Sequence, residues 1–163
     1  MSMSAAVAAA EPIDHQTCFR PGPTSCTALV IWEIDSARRS IDLAAYSLTD
    51  MRIVDALNHA ATRGVTVRSV VDRESALAGM LPGEVWTDCR DAIQHNKFLV
   101  LDGIAVGTGS FNLSKAAEYK NAENHIWLRD KVIAGEYAEN FRKLITESQP
   151  GVGCSEQIRR RKH

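Results

Sequence analysis

One strand–helix–strand pattern in the middle of the chain constrains the fold more than any other feature. Residues 40–48 (SIDLAAYSL) place apolar side chains near alternation and predict a buried strand. Residues 51–63 repeat apolar side chains at helical spacing, with Asp50 as N-cap and Gly64 where a left-handed C-cap is usual. Residues 65–71 alternate again and are β-branched. Such a unit pairs its strands in parallel through a right-handed crossover, so the sequence predicts an α/β fold.

The segments on either side extend this unit into a mixed sheet. Apolar spacing predicts a first helix that begins near Thr24. After the central unit the patterns predict a short helix at 75–80, a short strand at 84–87, a hairpin of strands 98–101 and 104–107, helical turns at 113–119, a strand at 123–128 and a long helix at 130–148. We therefore expect a mixed central β-sheet with helices on both faces.

A chain of 163 residues has room for one domain. We place that domain at residues 24–149, after a flexible leader (1–23) and before a basic tail (150–163). The leader contains small residues at 5–10 that resemble the cleavage end of an export signal, without a basic start or an apolar core. Two interpretations stay open: a trimmed export signal, with a periplasmic or secreted protein, or an Ala/Ser-rich leader on a cytoplasmic one.

The charge balance excludes a protein that holds nucleic acid by bulk charge alone. The chain has 19 basic and 20 acidic residues, and four of the basic ones lie in the last thirteen residues. The remainder carries 15 basic against 19 acidic residues, so any phosphate site must be local. No stretch approaches the roughly 20 apolar residues of a membrane helix, so we expect no stable membrane insertion.

The four cysteines leave two interpretations open. Cys18 and Cys26 bracket a turn-rich loop that a disulfide could close, whereas all four thiols could instead be free and buried. No C-x-x-C pair occurs, so a zinc site is not expected.

Residues 94–124 contain the groups that point to chemistry. His95 and Lys97 stand two apart at the head of a strand, so both side chains lie on one face. Ser110 and Asn112 follow a glycine-rich strand exit and add neutral hydrogen-bonding groups. A nucleophile or base, a fixed cation and small polar donors suit a phosphodiester, whose charge develops during in-line attack. Asp102 falls at a tight turn, where a structural hydrogen-bonding role is favoured over reaction.

The spacing H-x-K-x4-D-x6-G-S-x-N is the signature of the phospholipase D superfamily. The likeness extends over residues 24–145 and resembles the small bacterial endonuclease branch, through the segments 34–37 (IDSA), 44–47 (AAYS), 108–112 (TGSFN), 115–118 (KAAE) and 121–124 (NAEN). The resemblance implies a phospholipase D-like α/β sandwich. The sequence departs from that branch between residues 72 and 94, where the segment is shorter, so the resemblance does not extend to the helix there or to one rim of the substrate groove.

The resemblance assigns roles to individual residues. His95 would attack phosphorus and form a phosphohistidine, and Lys97 and Asn112 would bind the phosphate. Ser110, a further substrate-binding candidate, and Glu123 would position and tune the histidine, and Asp102 completes the motif's catalytic set. Members of the superfamily need no metal or other cofactor.

Covalent catalysis through histidine also needs an acid for the leaving oxygen and later a base for water. None of the other histidines, His15, His59, His125 and His163, repeats H-x-K. We therefore expect a symmetric homodimer in which His95 of both copies shares one site. A supporting role for His125, and base stacking by Trp86, remain secondary hypotheses.

The sequence therefore predicts a metal-independent phosphodiesterase, foremost a largely non-specific endonuclease that acts on DNA or RNA. A phospholipid hydrolase or phosphatidyltransferase is the first alternative, although no basic interfacial helix with aromatic anchors is evident. A non-catalytic nucleic-acid-binding module is the second.

Overall fold

The computed structural model of the chain describes residues 13–154. Its elements, in chain order, are β1 (His15–Arg20), α1 (Cys26–Ser36), β2 (Ser40–Ala45), α2 (Met51–Thr62), β3 (Thr66–Asp72), a short 3-10 helix (Ala78–Met80), β4 (Glu84–Asp88), β5 (Lys97–Leu101), β6 (Ala105–Gly109), α3 (Lys115–Tyr119), β7 (Glu123–Arg129), α4 (Lys131–Thr146) and β8 (Gln149–Pro150). The strands form one sheet in the order β1-β7-β6-β5-β2-β3-β4-β8.

The sheet is mixed, as the sequence predicts. β2 pairs in parallel with β3, and β3 with β4, whereas every other neighbouring pair is antiparallel. The central unit forms as expected, with the Asp50 side chain accepting a hydrogen bond from the Arg52 backbone at the start of α2. Gly64 follows α2 with φ +88°, a conformation that glycine adopts without a side-chain penalty.

Helices cover both faces of the sheet. On one face, α1 and α2 pack Ile34 and Leu57 against Leu43 of β2 within the larger apolar cluster. On the other, Phe141 of α4 packs in a second cluster with Phe98 of β5. Alternate side chains of β2 and β5 enter opposite clusters, which is the period of two that the sequence shows.

The predicted leader is shorter than expected. Residues 15–20 form β1, which pairs along its length with β7, and Cys18 is buried and disulfide-bonded to Cys26. The prediction of a flexible segment through residue 23 is therefore wrong from residue 15 onward, because β-pairing and a cross-link hold this stretch on the domain. Residues 1–12, including the signal-like alanines, lie outside the described residues.

The C-terminal boundary also shifts. Gln149–Pro150 pairs with β4 as β8, and Cys154 forms a disulfide with Cys89. The prediction of a tail from residue 150 is therefore wrong up to Cys154, and the basic residues 159–162 lie outside the described residues. With both disulfides formed, the interpretation of four free thiols is wrong, and the pairing is typical of proteins in oxidising compartments.

The predicted helix at 75–80 is only a three-residue 3-10 turn, Ala78–Met80. Within residues 13–154, no helix is long and apolar enough to cross a membrane.

Candidate active site

The ends of four neighbouring strands lie along the same edge of the sheet, the edge that runs across the strands, and bring the motif residues together. β2 and β6 end there, while β5 and β7, which run antiparallel to their neighbours, begin there. Lys97 pairs with Ala45, and Gly109 pairs with His125, two residues after Glu123. The order of the strands therefore places Lys97, Gly109 and Glu123 side by side.

His95 and Lys97 are in direct contact. His95 is exposed in the turn before β5, and Lys97 Nζ lies 3.2 Å from its Nδ1 and 2.7 Å from its backbone oxygen. Burial lowers the pKa of Lys97 below its ordinary value, and the negative charge of Glu123 offsets part of that shift. A cation is therefore held beside an exposed imidazole, the pair of groups that binding and attack at a phosphodiester require.

Tyr46, at the end of β2, packs against both groups. Its ring centre lies 4.6 Å from the centre of the His95 ring and 5.4 Å from Lys97 Nζ. Its backbone N–H also donates to the carbonyl of Asn96 at 3.1 Å. Sequence reasoning matched the segment 44–47 but assigned Tyr46 no role, because nothing in the spacing shows that β2 ends beside β5.

The turn that carries His95 is anchored by buried polar groups. The Gln94 backbone N–H donates to Asp72 Oδ2 at 2.9 Å, and its side chain donates to the carbonyl of Val70 at 3.3 Å. Gln94 Oε1 accepts hydrogen bonds from the Asn96 backbone at 2.7 Å and from the Asn96 side chain at 2.9 Å. Sequence reasoning missed Asp72 and Gln94. The one sequence feature that could have identified them is their position, since Asp72 directly follows an apolar strand and Gln94 directly precedes the motif.

Ser110 and Glu123 form a second network on the other side of the site. The Ser110 hydroxyl donates to Glu123 Oε2 and accepts from the Asn124 backbone N–H at 3.1 Å. Glu123 Oε1 accepts from the Asn121 side chain at 2.9 Å. The one hydroxyl proton of Ser110 is therefore used to hold Glu123, which favours a positioning role for both residues.

Asn112 lies at the same edge, half-buried, and its amide oxygen is buried without a hydrogen-bond partner among the described residues. The strand exit before it depends on glycine. A Cβ on Gly109 would lie 2.3 Å from the carbonyl oxygen of Asn124, the same oxygen that accepts the backbone N–H groups of Ser110 and Phe111. Only glycine lets the chain approach β7 closely enough to place Ser110 and Asn112.

Asp102 does not join the site. It lies at the opposite end of β5, five residues and about 17 Å from Lys97 along the strand. Its carboxylate accepts backbone hydrogen bonds from Arg38, Arg39 and Ser40 at 2.7–3.1 Å. Burial opposes ionisation of this carboxylate, but these hydrogen bonds outweigh it and hold its pKa below the usual range. The geometry is that of a structural hydrogen-bonding residue.

Two secondary hypotheses concern His125, as a supporting residue, and Trp86, as a base-stacking residue. His125 is buried with Nε2 2.7 Å from Glu33 Oε1, beneath Gly107, so its side chain packs against α1 instead of reaching the site surface. Trp86 is half-buried on β4, packs against the cluster of Phe98 and Phe141, and is separated from β5 by β2 and β3, so it does not contact the His95–Lys97 pair. Base stacking by Trp86 stays a prediction. Within residues 13–154, no three His, Cys, Asp or Glu side chains are grouped to hold a metal ion.

This site on this sheet defines a phosphodiesterase of the phospholipase D type. Residues 30–145 match the family model described as cardiolipin synthase, phospholipase D-like domain. The chain belongs to the phospholipase D superfamily, in the branch of the family member Nuc from Salmonella typhimurium.

Relatives and solved structures agree with that assignment. A phospholipase D of Rickettsia prowazekii (strain Madrid E) is 38% identical over 140 residues, 81% of this chain and 68% of the relative. A mitochondrial cardiolipin hydrolase of Xenopus tropicalis is 29% identical over 147 residues, 85% of this chain and 70% of the relative. The crystal structure of a phospholipase D family member, Nuc from Salmonella typhimurium, superposes with a TM-score of 0.79 at 31% identity, covering 87% of this chain and 100% of that one. This chain thus spans about two thirds of the length of its curated relatives and the whole of Nuc.

Proposed function

We propose that the protein is a metal-independent nuclease that hydrolyses phosphodiester bonds of DNA or RNA through a phosphohistidine. The observation that carries the proposal is the exposed His95–Lys97 pair at an open sheet edge, facing the Ser110–Glu123 network. A polymer can cross such an open edge, whereas the acyl chains of a phospholipid need apolar cover.

In the first step an imidazole nitrogen of His95 attacks phosphorus, forming a P–N bond as the P–O bond to the leaving group breaks. Lys97 and Asn112 bind the non-bridging oxygens, whose negative charge grows in the transition state. In the second step water attacks phosphorus, the P–N bond breaks, and the histidine is regenerated. The Ser110 hydroxyl holds Glu123, and the negative charge of Glu123 favours the charged form of Lys97 and so keeps a cation beside His95.

The leaving oxygen needs a proton in the first step, and water must lose one in the second. Of the described histidines other than His95, His125 is buried against Glu33, and His15 and His59 lie on β1 and α2, away from the motif. We propose that His95 of a second copy performs this acid–base role across a two-fold axis.

Two disulfides support a periplasmic or secreted location for this nuclease, because such cross-links persist in oxidising compartments.

Phospholipid hydrolysis is the second candidate, and the names of the rickettsial and Xenopus relatives favour it. Both activities would use the same step at phosphorus. They differ in what surrounds the phosphate, so substrate assays separate them.

The test compares wild type with His95→Ala on plasmid, single-stranded DNA and phospholipid vesicles in excess EDTA. His59→Ala is the matched control, because His59 is an exposed histidine on α2. We expect nucleic-acid cleavage that survives EDTA, disappears in His95→Ala and persists in His59→Ala, with an acid-labile phosphoenzyme in rapidly quenched wild type. Cleavage of vesicles alone would replace this proposal with the second candidate.

A further inference from the structure

Helix α3 and the first turn of α2, together called the wall, lie next to Asn112 of the candidate site. The segment that contains α3 begins at Asn112 and returns to the site at Glu123. The backbone N–H groups of Thr49 and Asp50 both donate to the carbonyl of Leu113, at 3.0 and 3.1 Å. These bonds fix the first turn of α2 directly beside the residue that follows Asn112.

The outer face of this wall is cationic and aromatic. α3 buries Ala117 and Glu118, while Lys115, Lys120 and Tyr119 are exposed. Tyr119 is 66% exposed, so its ring contributes little to the core. Neither lysine forms an ion pair with a carboxylate within residues 13–154. Burial acts to raise the pKa of Asp50, but Arg52 and the nearby charge of Lys115 hold that pKa below its usual value, so Asp50 offsets part of the positive charge of this face.

The Tyr119 ring is held in place although it faces solvent. Arg52 donates to its hydroxyl at 3.2 Å and lies 5.8 Å from the ring centre. Arg52 is itself fixed by the buried carboxylate of Asp50, with contacts of 3.0 and 2.6 Å. A preorganised ring loses little conformational freedom when a ligand stacks on it, which favours binding.

We propose that Tyr119 stacks on an unpaired base of a single-stranded nucleic acid whose scissile phosphate lies at Lys97 and Asn112, while Lys115 and Lys120 bind flanking phosphates. The inference rests on the proposed nuclease function and names the strand form that the site prefers. The protein chain between Asn112 and Tyr119 spans at most about 16 Å, a distance that a few nucleotides of a single strand can cover. A duplex hides its base faces, so only a single strand can use the ring.

The test uses Tyr119→Ala and Tyr119→Phe in the full chain. Binding of a fluorescent oligothymidylate is measured in the His95→Ala background, where nothing is cleaved. Loss of one base stack predicts about 5- to 100-fold weaker binding for Tyr119→Ala. Tyr119→Phe keeps the ring and should bind within about 2-fold of the parent. With active enzyme, Tyr119→Ala should raise KM for single strands, while kcat/KM for a small aryl phosphodiester, too short to reach the ring, stays unchanged.

Charge reversal tests the lysines. Lys115→Glu with Lys120→Glu should weaken oligonucleotide binding and reduce its salt dependence, because fewer counterions are released. Lys131→Glu is the control, since Lys131 is exposed beyond the far end of β7.

Three results would overturn the inference. Unchanged single-strand binding by Tyr119→Ala in an otherwise active nuclease would overturn this inference alone. If Tyr119→Ala or the double lysine variant sedimented as a monomer where the wild type sediments as a dimer, the face would be a subunit contact instead. Wild-type hydrolysis of vesicles and the aryl diester, but of no nucleic acid, would overturn the proposed nuclease function together with this inference.

Discussion

Replacement of Asp102 by asparagine should destabilise the fold without impairing chemistry. Asp102 has φ +55°, a left-handed conformation that asparagine also tolerates, so the backbone is kept. The carboxylate accepts three backbone N–H groups, and asparagine keeps one oxygen that can serve two of them. Because Asp102 is only half-buried, each of the two retained bonds loses about 0.5 kcal/mol of charge assistance. The third bond, worth about 1–2 kcal/mol, is lost because an amide N–H would face the Arg38 N–H. The sum is about 2–3 kcal/mol.

That loss should lower the melting temperature by roughly 4–12 °C for a chain of this size. Urea unfolding with both disulfides oxidised measures the free energy of unfolding directly. Because hydrogen bonding lowers the pKa of Asp102 in the folded state, its contribution is fully present above the ordinary value of 3.8 and disappears as the pH falls below it. The difference between wild type and Asp102→Asn should therefore shrink in acid.

Asp55→Asn is the matched control, because Asp55 is an exposed carboxylate on α2. The kcat/KM of folded Asp102→Asn should stay within about 2-fold of wild type. Undiminished stability combined with a large fall in kcat would refute this reasoning and return Asp102 to the catalytic set.

Three further substitutions test the site and its support. Tyr46→Phe should keep kcat near wild type, because the Tyr46 hydroxyl makes no hydrogen bond within residues 13–154. Tyr46→Ala should lower kcat, because it removes the ring that contacts His95 and Lys97. The rate of phosphoenzyme formation in rapid-quench experiments measures both effects. Gly107→Ala should cost about 1–3 kcal/mol in urea unfolding, because a Cβ there would lie 2.0 Å from Glu33 Oε2. Burial raises the pKa of Glu33 despite the nearby His125, so ionised Glu33 costs stability. Glu33→Gln should therefore gain stability relative to wild type as the pH rises above 4.5, and a gain that instead grew toward acid would contradict the assignment.

The sequence predicts most elements of the sheet because their burial follows simple periods. Strand β1 escapes this reasoning since only Cys18 among its six residues is buried, and its partner β7 is over a hundred residues away. The Cys89–Cys154 cross-link is equally invisible, because no local pattern brings those residues together.

For the site, the motif predicts which residues converge but not what holds them. Gln94 and Asp72 are polar residues that a pattern of apolar spacing assigns to loops, yet both are almost fully buried. Their role depends on hydrogen bonds between segments that are distant in sequence. Tyr119 is missed for the opposite reason, since its exposure makes it look like an ordinary surface residue.

The spacing of four residues between Lys97 and Asp102 in the motif reflects the length of strand β5. Lys97 opens β5 at the candidate site, and Asp102 closes it at the α1–β2 connection, so the four residues between them are the rest of the strand. Because side chains alternate, one inserted residue in this interval would turn Lys97 to the α4 face while Asp102 kept its contacts. The aspartate thus supports the site from a distance, by fixing the register that aims Lys97 at the same edge as His95.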